Sequence, residues 1–147
     1  MNAEMRTLVE IVLRDFPSAQ AIYLFGSYAR GEQHTRSDID LAVLLPVDIA
    51  RAAGDLRLSD TALALAKQAR RDVDLVNLRL VSTVFQNEII HTGVLLYCSD
   101  EPARQEFEML ALSAYIKLSE ESARISCGHS FGPDRPTTYR DEQRLHY

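Results

Sequence analysis

The 147-residue sequence predicts an α/β domain, and three observations support this fold class. Four short apolar runs, each bounded by turn-forming residues, indicate buried strands. Longer segments with helical spacing of apolar residues, or with capping residues, separate these runs. The alternation of helices and strands within one short chain is typical of α/β architecture. The length fits one domain that can bury a substantial core.

The first part of the chain predicts a helix and two strands joined by a short turn. Leu8, Val12 and Phe16 share one helix face, and Pro17 cannot continue the helix. Two unbroken apolar runs then indicate buried strands, with one helical turn and a polar loop between them. The expected ranges are 21–25 for the first strand, 27–30 for the turn, 31–37 for the loop and 39–45 for the second strand.

The middle of the chain predicts a helical region and a third strand. Asp48 is expected to cap the helical region, which extends to about residue 69 with interruptions at Gly54 and Ser59. Residues 73–77 form an apolar run that contains one acid, and this run is expected to be the third strand.

The next segment predicts a helix, the fourth strand and a long final helix. Ser82 is the expected N-cap of a helix that ends at His91, and Gly93 is expected in the C′ position. Residues 94–98 then predict the fourth strand. A final helix is expected from about residue 100 to 125.

The final helix carries more apolar residues than one narrow stripe requires. They are Phe107, Leu110, Ala111, Ala114, Ile116 and Leu118. Either one face packs on the sheet while another meets a partner, or the whole set makes one thick core contact. After Cys127 the sequence loses its periodicity, so the domain is expected to span 1–127 and residues 128–147 are expected to form a flexible tail.

Composition narrows the function classes. The net charge of −5 argues against a broad nucleic-acid-binding surface, since such domains are usually basic. Cys98 and Cys127 lack metal-ligand spacing, and the charged N-terminus does not resemble a signal peptide. No apolar stretch approaches the roughly 20 residues that span a bilayer. A cytoplasmic protein without membrane or direct nucleic-acid contact is therefore expected.

A Gly-Ser pair and an Asp-x-Asp pair carry the chemical signal. Gly26 and Ser27 end the first strand, where backbone N–H groups and a hydroxyl suit a terminal phosphate. Asp38 and Asp40 open the second strand on one face, about 7 Å apart. Mg²⁺ is usually held by one or two carboxylates together with substrate phosphates. The alternative is that the two acids only protect a strand edge from aggregation.

Three further residues are candidates for the same site. Asp74 lies inside the third apolar run and completes a three-carboxylate cluster if that strand adjoins the second. Asp72 shares its strand face and is the alternative. Arg30 follows the Gly-Ser pair and faces the phosphates, the partner or solvent. A Walker A phosphate loop is excluded because Glu32 stands where its lysine would be required.

The Gly-Ser pair, the spacer and Asp-x-Asp resemble the defining motif of the polymerase-β-like nucleotidyltransferases. Residues 71–79 look like the strand that carries the third carboxylate of that superfamily. Residues 82–84 and 89–97 are similar to the next segments of the minimal nucleotidyltransferases. Among these, the sequence most resembles the MntA-type antitoxins that pair with HepT-type HEPN toxins, over about residues 5–125.

The resemblance implies a fold, a reaction and a set of roles. The fold would be a small mixed sheet flanked by helices, with a long C-terminal helix. The reaction would move AMP from ATP to a tyrosine hydroxyl of a cognate HEPN ribonuclease toxin and release pyrophosphate, as in a type VII-like toxin–antitoxin pair. Asp38, Asp40 and Asp74 would hold two Mg²⁺ ions. Gly26, Ser27 and Arg30 would contact the ATP phosphates.

Two other functions use the same residues. A small-molecule nucleotidyltransferase, such as an aminoglycoside adenylyltransferase, has the same core but usually adds a C-terminal substrate-binding domain. A non-catalytic module would neutralise a toxin by covering it. The complete set of carboxylates argues against this last alternative, although covering and catalysis can coexist.

Overall fold

The computed structural model describes residues 1–29, 31 and 38–128, the last five as helix backbone only. Helices and strands alternate as the sequence predicts. The helices are α1 (Ala3–Asp15), α2 (Gly26–Ala29), α3 (Val47–Ala53), α4 (Asp60–Ala69), α5 (Thr83–Thr92) and α6 (Glu101–Gly128). The strands are β1 (Ala21–Phe25), β2 (Ile39–Leu44), β3 (Val73–Asn77) and β4 (Val94–Cys98), and a 3₁₀ turn covers Leu78–Leu80. The predicted tail and most of the predicted loop 31–37 lie outside the described residues.

The four strands form one mixed sheet in the order β3-β2-β1-β4. β1 pairs antiparallel with both β2 and β4, whereas β2 and β3 run parallel. A parallel pair needs a crossover connection, and α3 and α4 supply it between β2 and β3. The predicted small mixed sheet flanked by helices is therefore confirmed.

Each face of the sheet packs against a different set of helices. On one face, Leu24, Leu41 and Leu75 join a core cluster with residues of α1 and α4. On the other face, Phe25 and Val76 join a second cluster with residues of α5 and α6. Side chains alternate between the two clusters along each strand because the strand period is two. The sheet is thus the shared centre of the domain.

The helical region after β2 differs in detail from the prediction. It divides into two helices between Gly54, which has a φ of 65°, and Ser59, whose side chain accepts a hydrogen bond from the Ala62 N–H at 3.1 Å. The prediction that Asp48 caps the region is wrong. Pro46 occupies the N-cap position, because the proline that ends β2 also starts the turn, and Asp48 lies in the first turn.

The prediction for α5 is confirmed at its N-cap, Ser82, and is wrong at its other end, where the helix ends at Thr92 and Gly93 is the C-cap residue instead of C′. Ser82 caps α5 by accepting a hydrogen bond from the Phe85 N–H at 3.2 Å. Gly93 has a φ of −80° and so does not adopt the left-handed conformation. A Cβ there would collide with the Ile89 carbonyl oxygen and lie 3.1 Å from that of Leu24. Close packing of two backbones, not a left-handed turn, requires this glycine.

The long C-terminal helix α6 contacts the domain along one narrow stripe. Phe107 and Ala111 are its buried apolar residues among the described side chains. A second apolar stripe, which we call the outer stripe, consists of Met109, Leu112 and Ile116 and is 42–67% exposed. The thick core contact considered above is therefore not made. None of the described helices is long and apolar enough to cross a membrane.

Candidate active site

The candidate site lies where three neighbouring strands present one row of residues. Asp40 of β2 pairs with Phe25 of β1 on one side and with Asp74 of β3 on the other. Residues in register on adjacent strands project to the same face, and the strands lie about 4.8 Å apart. Asp40 and Asp74 are both half-buried. The fold therefore brings the second and third predicted carboxylates side by side.

The other two acids form a second, more exposed row at the mouth of the site. Asp38 precedes β2 and Asp72 precedes β3, and both are exposed. The Ile39 N–H donates a hydrogen bond to the Asp72 carbonyl oxygen at 3.0 Å, which continues the strand pairing up to this row. Asp72 is thus placed beside Asp38 as Asp74 is placed beside Asp40. The two rows differ in depth, because Asp40 and Asp74 are half-buried whereas Asp38 and Asp72 are exposed.

The Gly-Ser turn approaches the deeper row directly. Gly26 has a φ of +76°, a conformation that favours glycine. A Cβ at this position would overlap the Asp40 carboxylate and lie 3.1 Å from its Cγ atom. Both the backbone conformation and the available space therefore require glycine here. Ser27 follows, half-buried, in the short helix α2. Arg30, also predicted to be a site residue, lies outside the described residues.

The donor set suits a hard divalent cation held at an open site. Carboxylate oxygens are the ligands that Mg²⁺ prefers, and such sites leave positions for substrate phosphates. Within the described residues, no three His, Cys, Asp or Glu side chains come together as a closed metal site. Asp40 and Asp74, with Asp38 at the mouth of the site, fit an ion whose coordination is completed by a bound nucleotide.

A cation that sequence reasoning missed lies in the field of Asp74. Arg57, in the connection between α3 and α4, binds Asp55 through its Nη2 atom at 2.9 Å. Hydrogen bonds to Asp55 raise the pKa of Arg57, and the negative charge of Asp74 adds to this increase. A residue in a loop without periodicity gives no sequence signal for such a position. Arg57 thus marks the β3 side of the site as less acidic than the motif alone suggests.

The wall of the site on the helical side is apolar. Phe25, next to the Gly-Ser turn, contacts Phe85 of α5 edge-to-face with ring centroids 5.5 Å apart. Deeper on the same sheet face, the Tyr23 hydroxyl donates a hydrogen bond to Glu108 of α6 at 2.7 Å. Burial, and then the bond to Glu108, raises the pKa of Tyr23. Tyr23 therefore stays protonated and holds α6 against the sheet.

A glycine-started turn against a carboxylate pair on a mixed sheet defines a nucleotidyltransferase. The chain belongs to the polymerase beta nucleotidyltransferase family, whose family model matches residues 8–102. The resemblance noted from the sequence is therefore confirmed at the level of family and fold.

Among known proteins, the chain is similar to the protein adenylyltransferase MntA of Shewanella oneidensis. The two are 35% identical over 118 residues, which cover 80% of this chain and 81% of the relative.

Two solved structures of toxin–antitoxin complexes contain similar chains. One complex holds AMP-PNP, and its matching chain has 37% identity and a TM-score of 0.66, covering 84% of this chain and 95% of that one. The other is a complex of the tri-AMPylated Shewanella oneidensis HEPN toxin with its MNT antitoxin. Its matching chain has 31% identity and a TM-score of 0.62, covering 83% of this chain and 92% of that one.

Proposed function

We propose that this chain is an antitoxin that transfers AMP from ATP to a tyrosine hydroxyl of a cognate HEPN ribonuclease toxin. The similarity to a protein adenylyltransferase supports the reaction, and the similarity to chains from HEPN toxin complexes supports the partner. Because the donor is ATP and the target is a ribonuclease, the reaction belongs in the cytoplasm.

The single observation that carries the proposal is the close approach of Gly26 to the row that contains Asp40 and Asp74. It brings a glycine turn suited to phosphate into contact with a carboxylate pair suited to metal. The row is assembled from three separate segments of the chain. A strand edge that only needed protective charges would not require a glycine fitted against one of those charges.

In this reaction the acceptor oxygen attacks the α-phosphorus of ATP, and the bond from that phosphorus to the bridging oxygen breaks. AMP becomes bonded to the acceptor oxygen, and pyrophosphate leaves. Asp38, Asp40 and Asp74 would hold two Mg²⁺ ions, which when bound stabilise negative charge and lower the pKa of the acceptor hydroxyl. The Asp74 carboxylate takes the proton of that hydroxyl. Gly26, Ser27 and Arg30 hold the departing phosphates.

The outer stripe of α6 supports a protein partner for this chain. Met109, Leu112 and Ile116 are spaced i, i+3 and i+7, which is how one helix presents anchors to another protein. Leu112 also lines a groove of about 470 Å³ between α5 and α6. The other described residues lining the groove are Val84, Asn87, Glu88, His91 and Tyr115. We propose that the toxin binds along this stripe and groove.

The test is whether the toxin stays inactive after the two proteins are separated. Toxin incubated with this protein, Mg²⁺ and ATP labelled at the α-phosphate should keep the label, lose ribonuclease activity and show added AMP on a tyrosine by mass spectrometry. The Asp38→Asn/Asp40→Asn variant should bind the toxin yet leave the separated toxin active and unlabelled. Asp48→Asn, which removes a carboxylate from the exposed side of α3, is the matched control and should transfer AMP normally.

Two results would replace the proposal. If the double variant protects cells as well as wild type at equal expression, neutralisation occurs by covering the toxin. If labelled AMP is transferred to aminoglycosides or similar small molecules but never to the toxin, the chain is a small-molecule nucleotidyltransferase.

A further inference from the structure

Behind the Gly-Ser turn, three residues from separate segments meet. Arg71, which precedes β3, places its guanidinium carbon 5.7 Å from the ring centroid of Tyr28 in α2. Its Nη2 atom lies 3.6 Å from Glu4 Oε1 of α1. We call the set of Glu4, Tyr28 and Arg71 the clamp. It joins α1, the phosphate turn and the entry to the strand of Asp74.

We propose that the clamp is a positioning device for the nucleotide site, in which Arg71 fixes the Gly26–Ala29 turn relative to Asp40 and Asp74. This inference rests on the proposed function for its substrate, ATP. Its structural part, that Arg71 and Tyr28 order the turn, stands on the apo geometry alone.

Burial supports a structural use of these groups rather than direct contact with a ligand. Only 18% of the Arg71 side chain is exposed, although it carries a charge and lies at the end of a strand. Glu4 Oε1 is buried and has no hydrogen-bond partner in the described part of the structure, so the charge of Arg71 compensates it across 3.6 Å. A guanidinium is suited to this position because its plane can stack on an aromatic ring.

The position of the ring explains why the turn needs such support. Tyr28 packs against the core cluster on the α1 and α4 face, whereas Asp40 and Asp74 lie on the opposite face of the sheet. A four-residue helix has almost no internal hydrogen bonding to hold its shape. Arg71 stacks on Tyr28 from the β3 side, so the turn is held between the core and the strand of Asp74.

The experiment measures turn order and nucleotide affinity in the same variants. Tyr28→Leu removes the ring, Arg71→Gln removes the cation, and Tyr28→Phe keeps the ring without its hydroxyl. Arg6→Gln, at an exposed site on α1, removes one positive charge as a matched control. Amide hydrogen exchange of residues 26–29 is followed in the apo protein. AMP-PNP affinity is measured calorimetrically with Mg²⁺, and KM for ATP is compared with kcat.

We expect Tyr28→Leu and Arg71→Gln each to speed exchange of these amides and to weaken AMP-PNP binding by about tenfold, which corresponds to about 1.4 kcal/mol. KM should rise more than kcat falls. Tyr28→Phe and Arg6→Gln should match wild type. The double variant Tyr28→Leu/Arg71→Gln should be no worse than Arg71→Gln alone, because both single changes break the same stacking contact and Arg71→Gln also removes the ion pair with Glu4.

The clamp and the proposed function fail in different ways. Unchanged amide exchange of residues 26–29 in Tyr28→Leu and Arg71→Gln would refute the clamp, whatever the AMP-PNP affinity of these variants. Weaker AMP-PNP binding in Arg71→Gln alone, with Tyr28→Leu normal, would also overturn it, because Arg71 would then contact phosphate directly. Faster exchange in both variants, with a wild type that binds no nucleotide, would support the ordering of the turn and refute the proposed function.

Discussion

The two ends of the central strands use polar residues in opposite ways. At the end that carries Asp40 and Asp74, which we call the open end, carboxylates lie half-buried beside exposed ones. At the other end, which we call the closed end, polar side chains bind neighbouring backbone. Asn77 donates to the carbonyl oxygens of Ala50 at 3.0 Å and Gly54 at 2.9 Å.

Arg79 is the clearest example of a polar residue that stabilises the fold at the closed end. Its guanidinium donates to the Leu45 carbonyl oxygen and, at 2.9 Å, to Gln20 Oε1. It also lies 5.4 Å from the centroid of the Phe107 ring of α6. A cation used in this way connects elements, whereas the acids of the open end crowd like charges together. The charge of Arg79 at the closed end thus stabilises the fold, whereas the carboxylates of the open end are kept for a ligand.

The strongest loss of activity is expected from a substitution at the open end. Asp40→Asn should lower AMP transfer about a thousandfold, or about 4 kcal/mol, because metal binding at the transition state is weakened. The melting temperature should not fall, since neutralising one of several crowded carboxylates relieves repulsion. Initial transfer rates and thermal unfolding of the same preparation check both parts. A large loss of stability would break the distinction between the two ends.

The next prediction compares the half-buried Asp74 with the exposed Asp72 at the open end. Asp74→Asn should lose most activity, because this residue is in register with Asp40, whereas Asp72→Asn should keep most of it. The two variants remove the same charge two residues apart, one within β3 and one just before it, so each controls for the other. Rates measured across a range of Mg²⁺ concentrations distinguish them. Equal losses would mean that Asp72 also binds metal, and a reversed order would assign the role to Asp72 instead of Asp74.

At the closed end the effect should be on stability. Arg79→Ala should lower the free energy of unfolding by about 2–3 kcal/mol, since it removes hydrogen bonds from a charged group and a cation–π contact. Arg51→Ala, at an exposed site on α3, is the control and should change it little. Urea unfolding gives both values. At a temperature where the variant is folded, kcat should be normal. A selective loss of kcat would contradict the assignment of this end to the fold.

The last prediction concerns the outer stripe of α6, which is exposed for a protein partner, and here a modest loss of binding is expected. Ile116→Asp should weaken toxin binding at least about tenfold by placing a charge in an apolar contact. Ala114→Asp adds the same charge to another exposed side of α6 and should bind normally. Binding assays with purified toxin compare the two, and unfolding curves should coincide with wild type. Normal binding by Ile116→Asp would exclude this stripe as the toxin contact.

Sequence reasoning reached the strands and the motif because their signals are local. Apolar runs gave the bounds of β1, β3 and β4 as observed, and Ser82 marked the start of α5. The neighbour relation of Asp40 and Asp74 is not local, because it depends on which strands pair and in which direction. The residues alone predict a three-carboxylate cluster only on the condition that the third strand adjoins the second. The resemblance to the polymerase-β-like nucleotidyltransferases is the reason to expect that this condition holds.

What the sequence could not give were contacts made by irregular segments. Arg57 near Asp74 and Arg71 on Tyr28 have no periodic pattern, and both lie outside the helices and strands. The capping error at Asp48 has the same origin, since a proline in the N-cap position leaves no side-chain signal. The roles of Asp38, Asp40, Asp74, Gly26, Ser27 and Arg30 in catalysis stay predictions.

The parallel pairing of β2 with β3 also governs when activity can appear during synthesis. A growing chain acquires Gly26, Ser27, Asp38 and Asp40 early, but their partner at position 74 follows two complete helices. Pairing of parallel strands across such a connection is a non-local step whose loop entropy must be overcome first. β4 then pairs with β1, from Ala21 with Cys98 onward, so the sheet closes later still. No nascent fragment that ends before residue 74 contains the carboxylate pair, so the site is completed only after β3 has left the ribosome.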